Sequence, residues 1–386
     1  MLQKSILSII ATFFAMILTS NVAGAADNLK QQVPVSDDGV MVRVPVNVFG
    51  KTLYFLVDSG FTFSAIDAGY KSLLEEPSAT PLVGGTPLGT DTVLPTFRCP
   101  EMSIAGKALA LDKIACLDLK MASFVSGQQC DGILGMDFFA TNVVSINFDK
   151  NVLTLNNAVP EQVKNTFVAV PLKQSSLSYM VDVLVNQDKR LTLMVDTGDN
   201  SSISLNSEAW QEVFGNDQTN VAAVTVADAA NQVAQSKIGV IRHLAIGKFN
   251  YTNLHATYIL NPSNPSHIGL GFFRRHNVTF DFENRILYLE PSKNFATPDK
   301  EDMSGLHLIR QGAMTIVYSI DENSPAYDQG IKAKDIVEMV NGQNTSSMTM
   351  RAIRRVLKSN DGDKITMQVR RGENVLNFAF ALKKTI

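Results

Sequence analysis

Leu53-Tyr54-Phe55-Leu56-Val57-Asp58-Ser59-Gly60 is an apolar run that ends in an acid, a hydroxyl residue and a glycine. The same pattern returns 138 residues later as Leu191-Thr192-Leu193-Met194-Val195-Asp196-Thr197-Gly198. A run of this kind reads as a strand entering a tight turn, so the carboxylate sits at the tip of a rigid, buried element. One such segment is an ordinary strand end. Two in one chain suggest a duplicated lobe whose acids meet across a pseudo-twofold axis. Two carboxylates held that close cannot both ionise, so they would share a proton, leaving one acid and one base.

The duplication extends well beyond the two tripeptides. Phe138 to Leu155 aligns without gaps on Phe272 to Leu289, at an offset of 134. The same offset carries Ile133-Leu134-Gly135 onto His267-Ile268-Gly269. In each half, a short apolar-Gly element follows the acid and precedes a strand hairpin. This internal repeat is of lobe size, far longer than a solenoid repeat.

Paired D-[ST]-G tripeptides, each followed by an apolar-apolar-Gly element, resemble the two-lobed aspartic proteases. The short lobes resemble the retropepsin-like branch more than the longer pepsins. The resemblance covers roughly residues 35–290. It implies a mainly β, two-lobed acid-protease β-barrel fold with pseudo-twofold symmetry. It assigns the catalytic dyad to Asp58 and Asp196. Ser59 and Thr197 match positions whose hydroxyls brace the two loops, and Gly60 and Gly198 match turn positions where a side chain would block the approach. Val83-Gly84-Gly85-Thr86-Pro87-Leu88-Gly89 falls where the family has its β-hairpin flap, which points to Gly84, Gly85 and Gly89 as hinge and close-approach residues. The second-lobe counterpart, near Ala227 to Gln235, lacks glycine and reads as helical or stiff, so a single moving flap is expected. Two residues depart from the family pattern. Phe61 and Asp199 follow the tripeptides where Ala or Ser is usual. Phe61 is expected to pack. Asp199 is expected to face solvent or cap a backbone amide; turned inward, it would raise the dyad's affinity for protons.

Composition narrows the class. The chain has 386 residues, 45% apolar and 18% charged, with a net charge of -3. That length supports two or three globular domains, and the weak charge without a long basic run argues against a nucleic-acid binder. At the N-terminus, Lys4 precedes an apolar stretch from Ser5 to Thr19, and Ala23-Gly24-Ala25 supplies a small-x-small cleavage site. Residues 1–25 therefore read as a signal peptide, with Ala26 as the mature start and no stable membrane anchor. The uncleaved anchor is the alternative. The compartment would be periplasmic for a bacterial source and extracellular otherwise. Three cysteines, Cys99, Cys116 and Cys130, allow one bridge plus a free thiol, or three buried thiols.

Along the chain, alternation at Val42, Val44, Val46 and Val48 precedes a turn at Gly50-Lys51 and the strand into Asp58. Val181, Val183 and Val185 repeat this before Asp196. Ser207 to Phe214 has helical spacing, and Pro160 to Pro171 joins the lobes, which are placed at 35–160 and 168–290. Glu290 to Ser304 reads as a linker. Beyond it, Ser324-Pro325-Ala326-Tyr327-Asp328-Gln329-Gly330-Ile331 and Asp335-Ile336-Val337-Glu338-Met339-Val340-Asn341-Gly342 resemble a bacterial PDZ domain, an α+β module over 303–386. Lys334 stands where that family usually has Gly, which would alter a turn rather than the fold. Within Ser304-Gly305-Leu306-His307-Leu308, the PDZ resemblance puts Gly305, Leu306, His307 and Leu308 at the carboxylate-binding loop, where a C-terminal peptide would add as an edge strand.

Other chemistries lack support. The five histidines show no H-E-x-x-H, the cysteines no C-x-x-C, and Ser59 lies in no G-x-S-x-G. The expected function is an exported aspartic endopeptidase acting on protein or peptide substrates. It would need no cofactor or metal, and a PDZ-like domain would recruit or position a protein. The alternative is a catalytically silent protease-fold scaffold that binds peptides.

Overall fold

The structure, a computed structural model, describes residues 32–78, 80–85, 91–215, 217, 219–227 and 233–386. Residues 1–25, expected to be a signal peptide, lie outside the described residues, and among those described no helix is long and apolar enough to cross a membrane.

In the first lobe, β1 (Lys51–Val57) pairs antiparallel with Val42–Val48. Val42, Val44, Val46 and Val48 all point into the core, as period-two alternation requires. The connecting turn falls on Phe49-Gly50, both at positive φ, the backbone a two-residue hairpin needs. The chain runs on through α1 (Lys120–Ser126), closed by Gly127 at φ 72°, and into β2 (Gly132–Leu134), which lies parallel to the end of β1. The second lobe repeats this. β3 (Lys189–Asp196) runs parallel to β4 (His267–Gly269), with Val195 beside Ile268 and Asp196 beside Gly269.

The lobes share a sheet in which Gln32–Pro34, Val152–Asn156, Val143–Asn147, His276–Asp281, Ile286–Pro291 and Val168–Ser175 are successive neighbours. At its centre Ser145 pairs with Thr279, and their hydroxyl oxygens lie 2.8 Å apart. These two residues are equivalents in the sequence repeat, so the pseudo-twofold axis passes between them. Around it, Phe139 meets Phe280 and Phe282 edge-on, and Phe273 meets Phe280 likewise. All four rings are essentially inaccessible, and truncating one to Ala costs about 3–5 kcal/mol at such a site.

The stretch Pro160–Pro171 that joins the lobes carries structure of its own: Glu161–Thr166 is helical and Val168 already begins a strand. Of the segment near Ala227 to Gln235, expected to be helical or stiff, the described residues are Ala227 and Val233 to Gln235, and these are strand rather than helix. Val221–Ala227 and Val233–Ile246 form an antiparallel hairpin, because pairing with a long neighbouring strand overrides the helix preference of an alanine-rich stretch. All three cysteines are free thiols. Burial pushes Cys99 up to about 12 and Cys130 up to about 11.

The C-terminal module has its own sheet, ordered β5 (Leu306–Gln311), Met314–Ile320, Ile336–Val340, Lys364–Arg371 and Asn374–Ala381. It is closed by α2 (Met350–Leu357). Its core is separate and includes Val317, Val337, Ile353, Leu357, Met367 and Val369. Thr349 caps α2 through the Ala352 amide, and Met350, Ile353 and Leu357 supply its buried stripe. Lys334 sits at φ 74°, the left-handed conformation that glycine adopts without strain.

Candidate active site

Asp58 follows the last residue of β1, and Asp196 ends β3. Each carboxylate folds back onto its own turn. Asp58 Oδ1 accepts from the amides of Gly60 (2.9 Å) and Phe61 (3.1 Å), and Asp196 Oδ1 accepts from those of Gly198 (2.9 Å) and Asp199 (3.2 Å). The turns face each other across the axis. A Cβ on Gly60 would lie 2.3 Å from Asp196 Oδ1, and one on Gly198 would lie 2.3 Å from Asp58 Cγ. Each glycine is therefore the floor on which the other lobe's acid rests. The Asp58 and Asp196 carboxyls thus lie side by side across the axis, and the charge of Asp196 acts on Asp58.

The turns also lock onto each other. Ser59 N–H donates to Thr197 Oγ1 (3.0 Å) and Thr197 N–H to Ser59 Oγ (3.1 Å). The hydroxyls pass the bond on: Ser59 Oγ donates to Val195 C=O (3.0 Å) and Thr197 Oγ1 to Val57 C=O (2.8 Å). The apolar-Gly elements run beneath. A Cβ on Gly135 would meet the Phe63 carbonyl carbon at 2.5 Å, and one on Gly269 would meet the Ser201 carbonyl oxygen at 2.3 Å.

Burial, and then the charge of Asp196, push Asp58 well above the usual carboxylate range. Burial also raises Asp196, but the nearby His267 works against that rise. Sequence reasoning assigned no role to His267. Its Nδ1 lies 3.4 Å from Asp196 Oδ2 and 3.6 Å from Asp199 Oδ2. Asp199 does cap a backbone amide, that of Ser201 at 2.9 Å, yet it turns inward rather than facing solvent, with its side chain only 16% exposed. The sequence carried a trace of this pair. Both residues depart from their repeat equivalents, Ile133 and Phe61, and both lie in the same lobe.

Gly84 and Gly85 lie in one arm of a hairpin, Leu82–Gly85 paired with Asp91–Leu94. Gly89 falls outside the described residues. Among the described residues, no group of three or more His, Cys, Asp or Glu side chains is placed to hold a metal ion.

The four PDZ-like residues occupy the entry to β5. Gly305 is at φ 78°, and its open side faces Ser324, 2.2 Å from where a Cβ would stand. The Leu306 amide donates to Ser304 Oγ (3.1 Å). His307 Nε2 lies 3.0 Å from Asp321 Oδ1. Leu306 and Leu308 are core side chains. β5 has a strand neighbour on one side only, and α1 of the first lobe packs against it. Arg354 donates to the carbonyls of Val125, in α1, and Leu308, in β5. Gly127 abuts Met350 and Arg310.

Residues 181–272 match the family described as aspartyl protease, and residues 316–371 match the PDZ domain family. No curated protein matches the sequence. Among solved structures, the chain is similar to soybean basic 7S globulin at 11% identity and a TM-score of 0.43, covering 68% of this chain and 94% of that one. An aspartic proteinase from Irpex lacteus aligns at 15% identity and a TM-score of 0.43, covering 69% and 98%. A retropepsin-like aspartic protease from Rickettsia conorii aligns at 22% identity and a TM-score of 0.27, covering 32% and 89%. The sheets described above and the two family matches make this chain a two-lobed, mainly β protein with a segment matching the aspartyl protease family in its second lobe and one matching the PDZ domain family toward its C-terminus.

Proposed function

We propose that this chain is an exported aspartic endopeptidase whose dyad is Asp58 and Asp196. The observation that carries the reading is the interlocked pair of turns. Two strands from separate lobes end in carboxyls, each resting on the other's glycine, and the Ser59 and Thr197 amides and hydroxyls tie the two turns together. One ionised carboxylate takes a proton from a water, whose oxygen attacks the peptide carbonyl. The neutral carboxyl gives its hydrogen bond, then its proton, to the carbonyl oxygen. Returning a proton to the amide nitrogen lets the C–N bond break. The strand pair Leu82–Gly85 and Asp91–Leu94 would belong to a single moving flap over a peptide in the cleft, served by Gly84, Gly85 and Gly89. Lobes at 35–160 and 168–290 form the catalytic unit. The module at 303–386 recruits or positions a protein through the strand entered by Gly305, Leu306, His307 and Leu308. Cleavage of residues 1–25 delivers the mature chain to the periplasm of a bacterium, or outside the cell.

The test is incubation of the purified protein with a peptide library between pH 4 and 7.5. Asp58→Asn and Asp196→Asn should each abolish turnover in a folded protein. Either variant keeping more than about a hundredth of the wild-type rate sinks the mechanism. A wild-type protein that binds library peptides without cutting any is the silent scaffold instead.

A further inference from the structure

The two lobes treat their halves of the dyad differently. In the sequence repeat, Phe61 is the counterpart of Asp199, and Ile133 is the counterpart of His267. On the Asp58 side these two places hold apolar side chains that belong to one cluster. On the Asp196 side they hold an acid and an imidazole, whose side chains are 16% and 9% exposed.

Asp199 is tied down from several directions. It accepts from the amide and hydroxyl of Ser201, and from Ser204 Oγ at 2.5 Å. Burial alone would raise it, but His267 and these hydroxyls outweigh burial and hold it at about 2. Asp199 is therefore a fixed negative charge, and it faces His267. The titratable groups facing that imidazole are Asp196 at the end of β3, Asp199 in the turn beyond it, and Asp58 from the other lobe. Burial works against an imidazolium there, and the carboxylates favour it, Asp199 and Asp196 ahead of Asp58. Nε2 is buried without a protein partner, so the ring is tied to the site through Nδ1 alone.

The Asp199–His267 pair is neutral overall, but its positive end lies against Asp196. We propose that His267, held as an imidazolium by Asp199, is a positioning residue that fixes the dyad's single proton on Asp58 and leaves Asp196 as the ionised base. The proposal rests on the endopeptidase reading and deepens it by giving each acid one role. The water proton goes to Asp196 as the oxygen–carbon bond forms, and the Asp58 proton goes to the carbonyl oxygen. Asp196 then passes its proton to the leaving nitrogen as the C–N bond breaks. Asp58 recovers a proton from the new hydroxyl, and the site returns to its starting state.

Two measurements on the full-length protein test this. The first needs no turnover. The ring nitrogens of the five histidines are followed by NMR against pH, with His267 assigned by the signal lost in His267→Gln. Both its nitrogens should remain protonated at pH 7, above the ordinary midpoint of about 6.5. Should His267→Gln fail to fold, Asp199→Asn serves for assignment, because the same ring should then titrate at lower pH. A neutral His267 at pH 6 overturns the proposal. The second measurement is the pH profile of kcat/KM. The imidazolium holds Asp196 ionised, so His267→Gln should move the acidic limb to higher pH by roughly one unit or more. A uniform loss of rate with an unmoved acidic limb means that His267 only packs, and overturns the proposal. If the wild-type protein cuts no peptide, the endopeptidase reading falls, while the histidine titration still decides the charge of the site.

Discussion

Ser59 and Thr197 each give an amide hydrogen to the other's hydroxyl, at 3.0 and 3.1 Å. The two lobes thus hold each other's Asp-bearing turn through four hydrogen bonds built from one serine and one threonine. Both side chains are buried, so a broken bond has no water to replace it. Thr197→Val keeps the shape but leaves the Ser59 amide and the Val57 carbonyl unpaired. We expect it to cost about 2 kcal/mol or more in urea unfolding and to reduce turnover, whereas Thr197→Ser should cost under about 1 kcal/mol. Equal stability of the two variants would show that the lock does not hold the lobes.

The dyad itself should destabilise the fold at neutral pH. Burial and Asp196 raise the folded-state pKa of Asp58 far above the unfolded value of about 3.9. The folded state therefore binds this proton more tightly than the unfolded chain does. The stabilising contribution is fully present below pH 4 and is lost as pH rises through the folded pKa. Asn cannot lose a proton, so Asp58→Asn should melt increasingly above the wild type as pH goes from 4 to 8. Thermal denaturation at several pH values reads this directly. A melting difference that is flat or shrinks with pH excludes a proton held on Asp58.

These residues also show what was legible in the sequence. A strand that ends in D-[ST]-G states its own geometry: the alternation buries the run, and the glycine marks the turn. Doing so twice, with a gapless downstream repeat, is enough to make Ser145 and Thr279 equivalents, and the folded sheet then sets them opposite each other. His267 was harder to read. It occupies an apolar slot of the repeat, and its partner Asp199 is distant in sequence, so only the folded register brings the two together. The strand that reaches Ala227 was harder to read for a related reason. Val221–Ala227 is alanine-rich, and it pairs with Val233–Ile246, which lies between two neighbours. The packing of α1 against β5 joins surfaces of two domains, and no periodicity records such a contact.

Lys334 offers a test of backbone strain that involves no catalysis. Its φ of 74° is left-handed, and its amide still bonds the Val317 carbonyl at 2.7 Å. A non-glycine residue in that conformation costs roughly 1–2 kcal/mol. Glycine relieves the strain but gives the unfolded chain more freedom to lose on folding. Lys334→Gly should therefore raise stability by about 0.5–1 kcal/mol, while Lys334→Val, with a branched Cβ, should lower it. The reverse order in denaturant midpoints would mean that the lysine side chain contributes a contact that outweighs the backbone.

In the full chain, a peptide adding to β5 meets the first lobe. Arg354 ties the Val125 carbonyl of α1 to the Leu308 carbonyl of β5. Gly127, at φ 72°, leaves room for Met350, whose Cγ is 2.4 Å from where a Cβ on Gly127 would stand. Edge-strand binding would need those strand groups, so a peptide there would compete with α1 for one place. Arg354→Ala removes the tie from the PDZ side. Gly127→Ala pushes α1 away from the lobe side, where the substitution touches no peptide. Each should strengthen binding of a peptide with a free C-terminal carboxylate several-fold in fluorescence anisotropy, and amidating the peptide should weaken it. Both variants break one shared contact, so the double variant should gain less than the two gains added together. If Arg354→Ala strengthens binding while Gly127→Ala leaves it unchanged in a folded protein, the arginine acts on the peptide directly and α1 does not guard the strand.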